Sequence, residues 1–96
     1  MVLKIETVGL GVKATLTDND TIRHQIIYRN IDEALWQGMR WALKIVDGVH
    51  GVVVDGESVT DVCEVEERLW RYLDGMGDRE PRATSLTNAM IVLLSL

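Results

Sequence analysis

A chain of 96 residues, 47% hydrophobic and 26% charged, has the size and composition of one soluble globular domain and excludes both disorder and a second core. Its net charge of −5 disfavours nonspecific binding to nucleic acid or to an anionic membrane surface, because like charges repel. A single cysteine excludes an intramolecular disulfide, and the lack of a signal sequence or a long apolar run predicts a cytoplasmic protein that inserts in no membrane.

Three stretches of alternating polar and apolar residues open the chain, a pattern typical of β-strands. Residues 2–8 and 12–17 flank a glycine-rich segment that favours a tight turn. After a second turn signal, Asp18-Asn19-Asp20, residues 21–28 alternate again. These segments predict a three-stranded antiparallel meander. The third strand is expected to carry on one face Ile22, His24, Ile26 and Tyr28.

The strongest helix signal begins at Asn30, an N-cap residue that Glu33 extends into a capping box. Apolar residues cover well over half of the helix circumference up to Asp47-Gly48, which is wider than the apolar face of an ordinary surface helix. We therefore expect this helix to pack against the sheet on one side. On its other side a second helix or a second subunit would serve equally well.

The remaining residues predict one more strand and two more segments. The apolar run 49–54 favours a strand buried on both faces. Ser58 is expected to cap a second helix, with Asp61 near the capping-box position. Residues 77–83 are interpreted as a linker before residues 85–96, whose spacing favours a short helix but also fits a buried strand. The prediction is a single two-layer α+β domain over residues 1–96, of order βββαβα with a short C-terminal helix.

Few residues combine reactive chemistry with the spacing of a catalytic site, and we predict neither a cofactor nor a metal ion. His24 could act as a general base or a pH switch, although an imidazole at the core edge, bonded to a carbonyl, is favoured. Cys63 could have a low thiol pKa near a helix N-terminus, but a small buried apolar role is favoured. Glu66 falls within the apolar stripe of the second helix and is a candidate buried acid; a rim position beside an arginine is the favoured alternative.

Polar residues also follow the fourth strand. Asp55, Glu57 and Ser58 lie just beyond its carboxyl end, where open α/β sheets bind ligands. Asp55-Gly56 is equally a good turn, and the turn interpretation is favoured.

The order strand, strand, strand, helix, strand, helix resembles that of the ribonuclease-H-like fold over about half of the chain. Residues 30–55 are similar to the family's stretch with a helix-borne Glu and a strand-end Asp, here Glu33 and Asp55. The resemblance implies that these acids would help hold divalent metals. The matching first strand has Glu6 but no Asp, and Asn88 lies near the place of the last acid. Because two-metal chemistry needs several converging carboxylates, an active nuclease is disfavoured.

A trimmed version of the same fold occurs in the HicB-type antitoxins. The segment Asp32-Glu33-Ala34-Leu35 looks like their strand-to-helix junction. The chain lacks their usual Gly-Cys turn and a recognisable DNA-binding tail, so the resemblance implies topology alone.

The favoured function is a non-catalytic protein-interaction or regulatory module, a homodimer or a subunit bound to a protein partner. Small acidic proteins of phages and mobile elements often have this profile. More apolar surface is present than one small domain needs to bury. The predicted interface residues are Trp36, Met39, Trp41, Leu43, Met90, Leu93 and Leu94.

Two alternatives stay open. One is a metal-dependent ribonuclease-H-like nuclease, or a degenerate relative, that uses Glu6, Glu33 and Asp55. The other is an acidic inhibitor that mimics nucleic acid. It would present to a basic groove Glu57, Asp61, Glu64 and Glu67.

Overall fold

The computed structural model describes residues 2–45, 51–75 and 81–95, and within them the side chains of all residues except 45, 81–83 and 92–95. The predicted α+β class is confirmed, with five strands and three helices in the described part of the chain. Along the chain these elements are β1 (Val2–Val8), β2 (Gly11–Asp18), β3 (Thr21–Tyr28), α1 (Ile31–Ile45), β4 (Gly51–Val54), β5 (Glu57–Val59), α2 (Val62–Gly75) and α3 (Pro81–Ser95).

The five strands form one mixed sheet in the order β3-β2-β1-β4-β5. Two hairpins make the β1–β2 and β2–β3 pairs antiparallel. Helix α1 then carries the chain across the sheet, so that β4 pairs with β1 in parallel. Strand β5 returns antiparallel to β4. Strands β3 and β5 are therefore the two edges of the sheet.

One face of the sheet packs against α1. The alternation in β1 turns Leu3 and Ile5 toward this face and Lys4 and Glu6 toward the opposite face. Gly38 allows the close approach of helix and sheet, since a Cβ at this position would lie 2.7 Å from Leu3 Cδ1. The other side of α1 contacts α2 and α3. The wide apolar face of α1 is thus covered by the sheet on one side and by the chain's own helices on the other.

Several predicted boundaries were wrong. Ser58 does not cap a helix but lies in β5, a three-residue strand that pairs with β4. The cap of α2 is Asp61, whose Oδ1 accepts a hydrogen bond from the Cys63 N–H at 2.9 Å. Helix α3 spans 15 residues rather than a short segment, and it begins at Pro81, inside the predicted linker 77–83. The other linker residues, 77–80, lie outside the described part of the chain.

The predicted face of the third strand also needs a correction. A bulge between Leu16 and Thr17 shifts the β2–β3 register, so that Ile22 lies opposite Thr17 while His24 lies opposite Leu16. Ile22 therefore leaves the face that His24 shares with Ile26. In the described ranges, no helix is long and apolar enough to cross a bilayer.

Candidate functional site

The eight-residue strand β3 forms one edge of the sheet and exposes three large apolar side chains. Ile22, Ile26 and Ile27 have 57%, 38% and 64% of their surface exposed. We call these three residues the edge patch. Scattered single apolar residues are normal on a protein surface, whereas several along one unpaired strand indicate a binding edge.

The edge patch extends over both faces of the sheet. Ile26 lies opposite Ala14 and so belongs to the face that packs against α1. Ile27 lies opposite Lys13, on the other face, to which the bulge also turns Ile22. A strand added beside β3 would therefore meet apolar side chains above and below its backbone.

Strand β3 has few of the features that protect sheet edges. An edge strand presents a row of unpaired N–H and C=O groups, which proteins commonly protect with lysine, proline or short length. β3 contains neither lysine nor proline, and Arg23 is its one formally charged residue at pH 7. The opposite edge, β5, is only three residues long and begins at the exposed Glu57. Of the two edges, β3 is the one suited to strand addition.

The charge pattern also distinguishes β3. The chain has 15 acidic residues, but none of them lies between Thr21 and Tyr28. By contrast, four acidic residues line a cleft at the carboxyl end of β4, namely Asp55, Glu57, Asp61 and Glu64. Two copies of this acidic chain would therefore experience less like-charge repulsion at β3 than at that cleft.

His24 joins the edge strand to α1. Its ring stacks on that of Trp41, with ring centroids 4.1 Å apart and planes inclined by 27°. Its Nε2 atom is buried and has no hydrogen-bond partner in the described part of the chain, so the expected bond to a carbonyl is absent there. Burial lowers the pKa of His24, because a charged imidazolium loses hydration there. The packing of β3 against α1 thus favours a neutral imidazole.

The carboxyl end of β4 borders a cleft of about 480 Å³. At this end Asp55 accepts hydrogen bonds from the Thr7 N–H at 2.8 Å and from the Thr7 hydroxyl at 3.2 Å. Its own N–H donates to the Ile5 carbonyl at 2.8 Å. Asp55 therefore ties the β4–β5 turn to β1. The cleft is lined by Ile31, Val54, Asp55, Glu57, Ser58, Val59, Thr60, Asp61, Glu64 and Arg68.

The three acids of the nuclease alternative are not brought together. Glu6 pairs with Lys13 at 3.6 Å on the face opposite α1. Glu33, whose N–H donates to the Asn30 cap, pairs with Arg29 at 3.7 Å. The described residues contain no group of three or more His, Cys, Asp or Glu side chains that could hold a metal ion. The convergence that the nuclease alternative requires is therefore absent from them.

The acids of the mimic alternative lie among basic residues. Glu67 pairs with Arg71 at 3.3 Å, and Asp61 caps α2. Arg68, which pairs with Asp32 at 3.3 Å, lines the same cleft as Glu57 and Glu64. The negative array is thus interrupted by guanidinium groups.

Glu66 and Cys63 lie on the outer side of α2. The helix buries Val65, Leu69 and Leu73, whereas Glu66 is half-buried beside a surface depression. Cys63 lines the same depression and is exposed, so its predicted role as a small buried apolar residue is wrong.

Most of the predicted interface residues pack within the chain. Trp36, Met39 and Met90 are buried in the core. Trp41 and Leu43 are half-buried and pack against that core, Trp41 beneath the His24 ring. The side chains of Leu93 and Leu94 lie outside the described residues. The core thus accounts for five of the seven residues that the sequence assigned to an interface: Trp36, Met39, Trp41, Leu43 and Met90.

The sequence prediction missed the edge patch. The signal was present in Ile26-Ile27, two adjacent apolar residues that an alternating strand must turn to opposite faces.

Comparison of the chain with protein-family models, curated proteins and solved structures finds no match.

Proposed function

We propose that this chain is a non-catalytic interaction module that self-associates through the edge strand β3. The observation that carries the proposal is the edge patch, three exposed isoleucines on an eight-residue strand with one free side. Pairing of that edge would give its backbone N–H and C=O groups hydrogen-bond partners. It would also bury apolar surface, which stabilises the pair by about 25 cal/mol per Å² removed from water. A chain of this size also gains from association, since small domains bury a smaller fraction of their surface.

Self-association through β3 uses a different surface from the α1 and α3 residues that the sequence predicts as the interface. Trp36 and Met39 are fully engaged in the core, and α2 and α3 cover the far side of α1. A non-catalytic role is supported by the three acids of the nuclease alternative, because Glu6, Glu33 and Asp55 each have a separate structural partner.

The ribonuclease-H-like resemblance is likewise a proposal. It is supported by the order β1-β2-β3-α1-β4, in which α1 connects β3 to β4. The β5 strand, inserted between β4 and α2, departs from the expected order. A relative that keeps the topology and lacks the metal ligands would fit a binding role.

Solution mass by light scattering over a dilution series tests the proposal. We expect wild type to have twice the chain mass of 10.8 kDa at high concentration and to approach the monomer on dilution. Ile27→Lys places a charge on the edge patch at an exposed position, so it should shift the mass to that of the monomer. Ser58→Lys makes a matched change at an exposed position of the other edge and should leave the dimer intact. A wild type that is monomeric throughout, or an Ile27→Lys variant that still dimerises, contradicts the proposal.

A further inference from the structure

We infer that the partner at this edge is a second copy of the chain, joined by antiparallel β3–β3 pairing about a two-fold axis at Gln25. This inference rests on the proposed function and specifies its geometry. Two five-stranded sheets would become one continuous sheet of ten strands. Both α1 helices would lie on the same side of it.

Symmetry fixes the strand direction. Two-fold axes are by far the commonest symmetry of homo-oligomers. Two sheets meet edge to edge with α1 on the same side only if the axis is perpendicular to the sheet, and rotation about that axis reverses the strand. The two β3 strands are then antiparallel, and the residue on the axis lies opposite its own copy.

The positions of the charges select the register. With Gln25 on the axis, residues 23–27, on the regular side of the bulge, lie opposite their copies, and Arg23 lies opposite Ile27 of the second copy. With Ile26 on the axis, Arg23 would instead lie opposite Arg29 of the second copy, a like-charge pair that is destabilising. The Gln25 register therefore pairs residues 23–27 with no opposed charges, whereas an axis at His24 would leave only residues 23–25 paired on the regular side of the bulge.

The same charges favour a second copy over a foreign strand. β3 carries Arg23 and no acid, so a foreign partner selected by electrostatic complementarity would need an acidic strand. In the Gln25 register Ile27 of the second copy would instead cover the aliphatic stem of Arg23, while its guanidinium group stays in water. The acidic cleft residues Glu57, Asp61 and Glu64 lie near the opposite edge strand, β5, away from this contact.

Single-cysteine cross-linking tests the register. In a Cys63→Ser background, which removes the exposed natural thiol, Gln25→Cys places the new thiol opposite its own copy. Cβ atoms of directly opposed residues are about 4.5–5.5 Å apart, so a disulfide can form with a small adjustment. In the Ile27→Cys variant the two thiol-bearing residues would be offset by four residues, or about 13 Å, too far for a disulfide.

Under mild oxidation at micromolar protein, we expect the Gln25→Cys variant to form a disulfide dimer about 100-fold faster than a control Ser58→Cys variant on the other edge. The reason is that two thiols held together in a dimer have a millimolar effective concentration. Faster cross-linking of Ile27→Cys than of Gln25→Cys, or equal rates for Gln25→Cys and Ser58→Cys, overturns the inference. A dimeric wild-type mass with no cross-link in the Gln25→Cys variant also overturns it but leaves self-association standing. A monomeric mass overturns both. Circular dichroism of each variant confirms that it is folded before the rates are compared.

Discussion

The indole N–H of Trp36 donates a hydrogen bond to the Thr87 hydroxyl at 3.1 Å, and this bond joins α1 to α3 inside the core. Trp36 is 5% exposed and Thr87 is fully buried. A buried donor without an acceptor costs about 1–3 kcal/mol, so the bond favours one docking position of α3 over others. It also explains why Trp36 serves the core rather than a subunit interface.

Thr87→Val should therefore lower the free energy of unfolding by about 1–3 kcal/mol, because valine fills the same space and removes the acceptor. Urea denaturation followed by tryptophan fluorescence measures the change. Thr87→Ser, which keeps the hydroxyl, is the matched control and should lose less. A Thr87→Val variant as stable as wild type would contradict this role of the hydrogen bond.

Substitutions of Asp55 test whether this residue has the structural role that its hydrogen bonds to Thr7 indicate. Asp55→Ala should lower the free energy of unfolding by about 1–2 kcal/mol, since it removes an acceptor of two hydrogen bonds from Thr7. Residue 55 also has a φ of 48°, which Asn tolerates better than Ala. Asp55→Asn keeps an acceptor oxygen and should stay near the wild-type stability in the same urea titration. If Asn proves as damaging as Ala, a single acceptor oxygen does not suffice and both carboxylate oxygens are required to hold Thr7.

Stability should fall in mildly acidic solution because of His24. Its folded-state pKa lies below the ordinary value of 6.5, so the unfolded chain takes up a proton more readily than the folded chain does. The resulting stabilisation is fully present above pH 6.5 and is lost as the pH falls from 6.5 toward the folded-state pKa. The Trp41 ring on which His24 stacks also lies 5.4 Å from Lys44 Nζ on α1.

Thermal melts between pH 7.5 and 5.5 measure this effect. His24→Phe keeps an aromatic ring against Trp41 and cannot titrate, so its melting temperature should vary less over this range than that of wild type. His50→Gln, at the other histidine of the chain, should retain the wild-type pH dependence. Identical pH profiles for wild type and His24→Phe would assign the dependence to other groups.

Local signals predicted much of the fold. The alternation of β1 and β2 and the Asn30 cap are properties of neighbouring residues, and the structure has these strands and this cap. Ser58 was misjudged because Ser58 and Asp61 are both good cap residues, and the choice depends on the pairing of β5 with β4. The bulge that turns Ile22 depends in the same way on pairing across strands.

The candidate site was less predictable because it depends on sheet order. β3 becomes an edge only because β4 adds beside β1 rather than beside β3, a choice made by contacts far apart in sequence. The sequence left open whether helices or a subunit cover α1, and the structure answers with α2 and α3. The sequence therefore predicted an interface on α1, whereas the exposed apolar residues lie on β3.

Amide hydrogen exchange along β3 tests self-association through this edge most directly. Amides of Thr21–Tyr28 that point away from β2 should be protected in concentrated wild type and should exchange rapidly in the Ile27→Lys variant. Exchange in β5 should be the same in both proteins. Rapid exchange of these β3 amides in concentrated wild type, or protection that survives Ile27→Lys, would contradict pairing at β3.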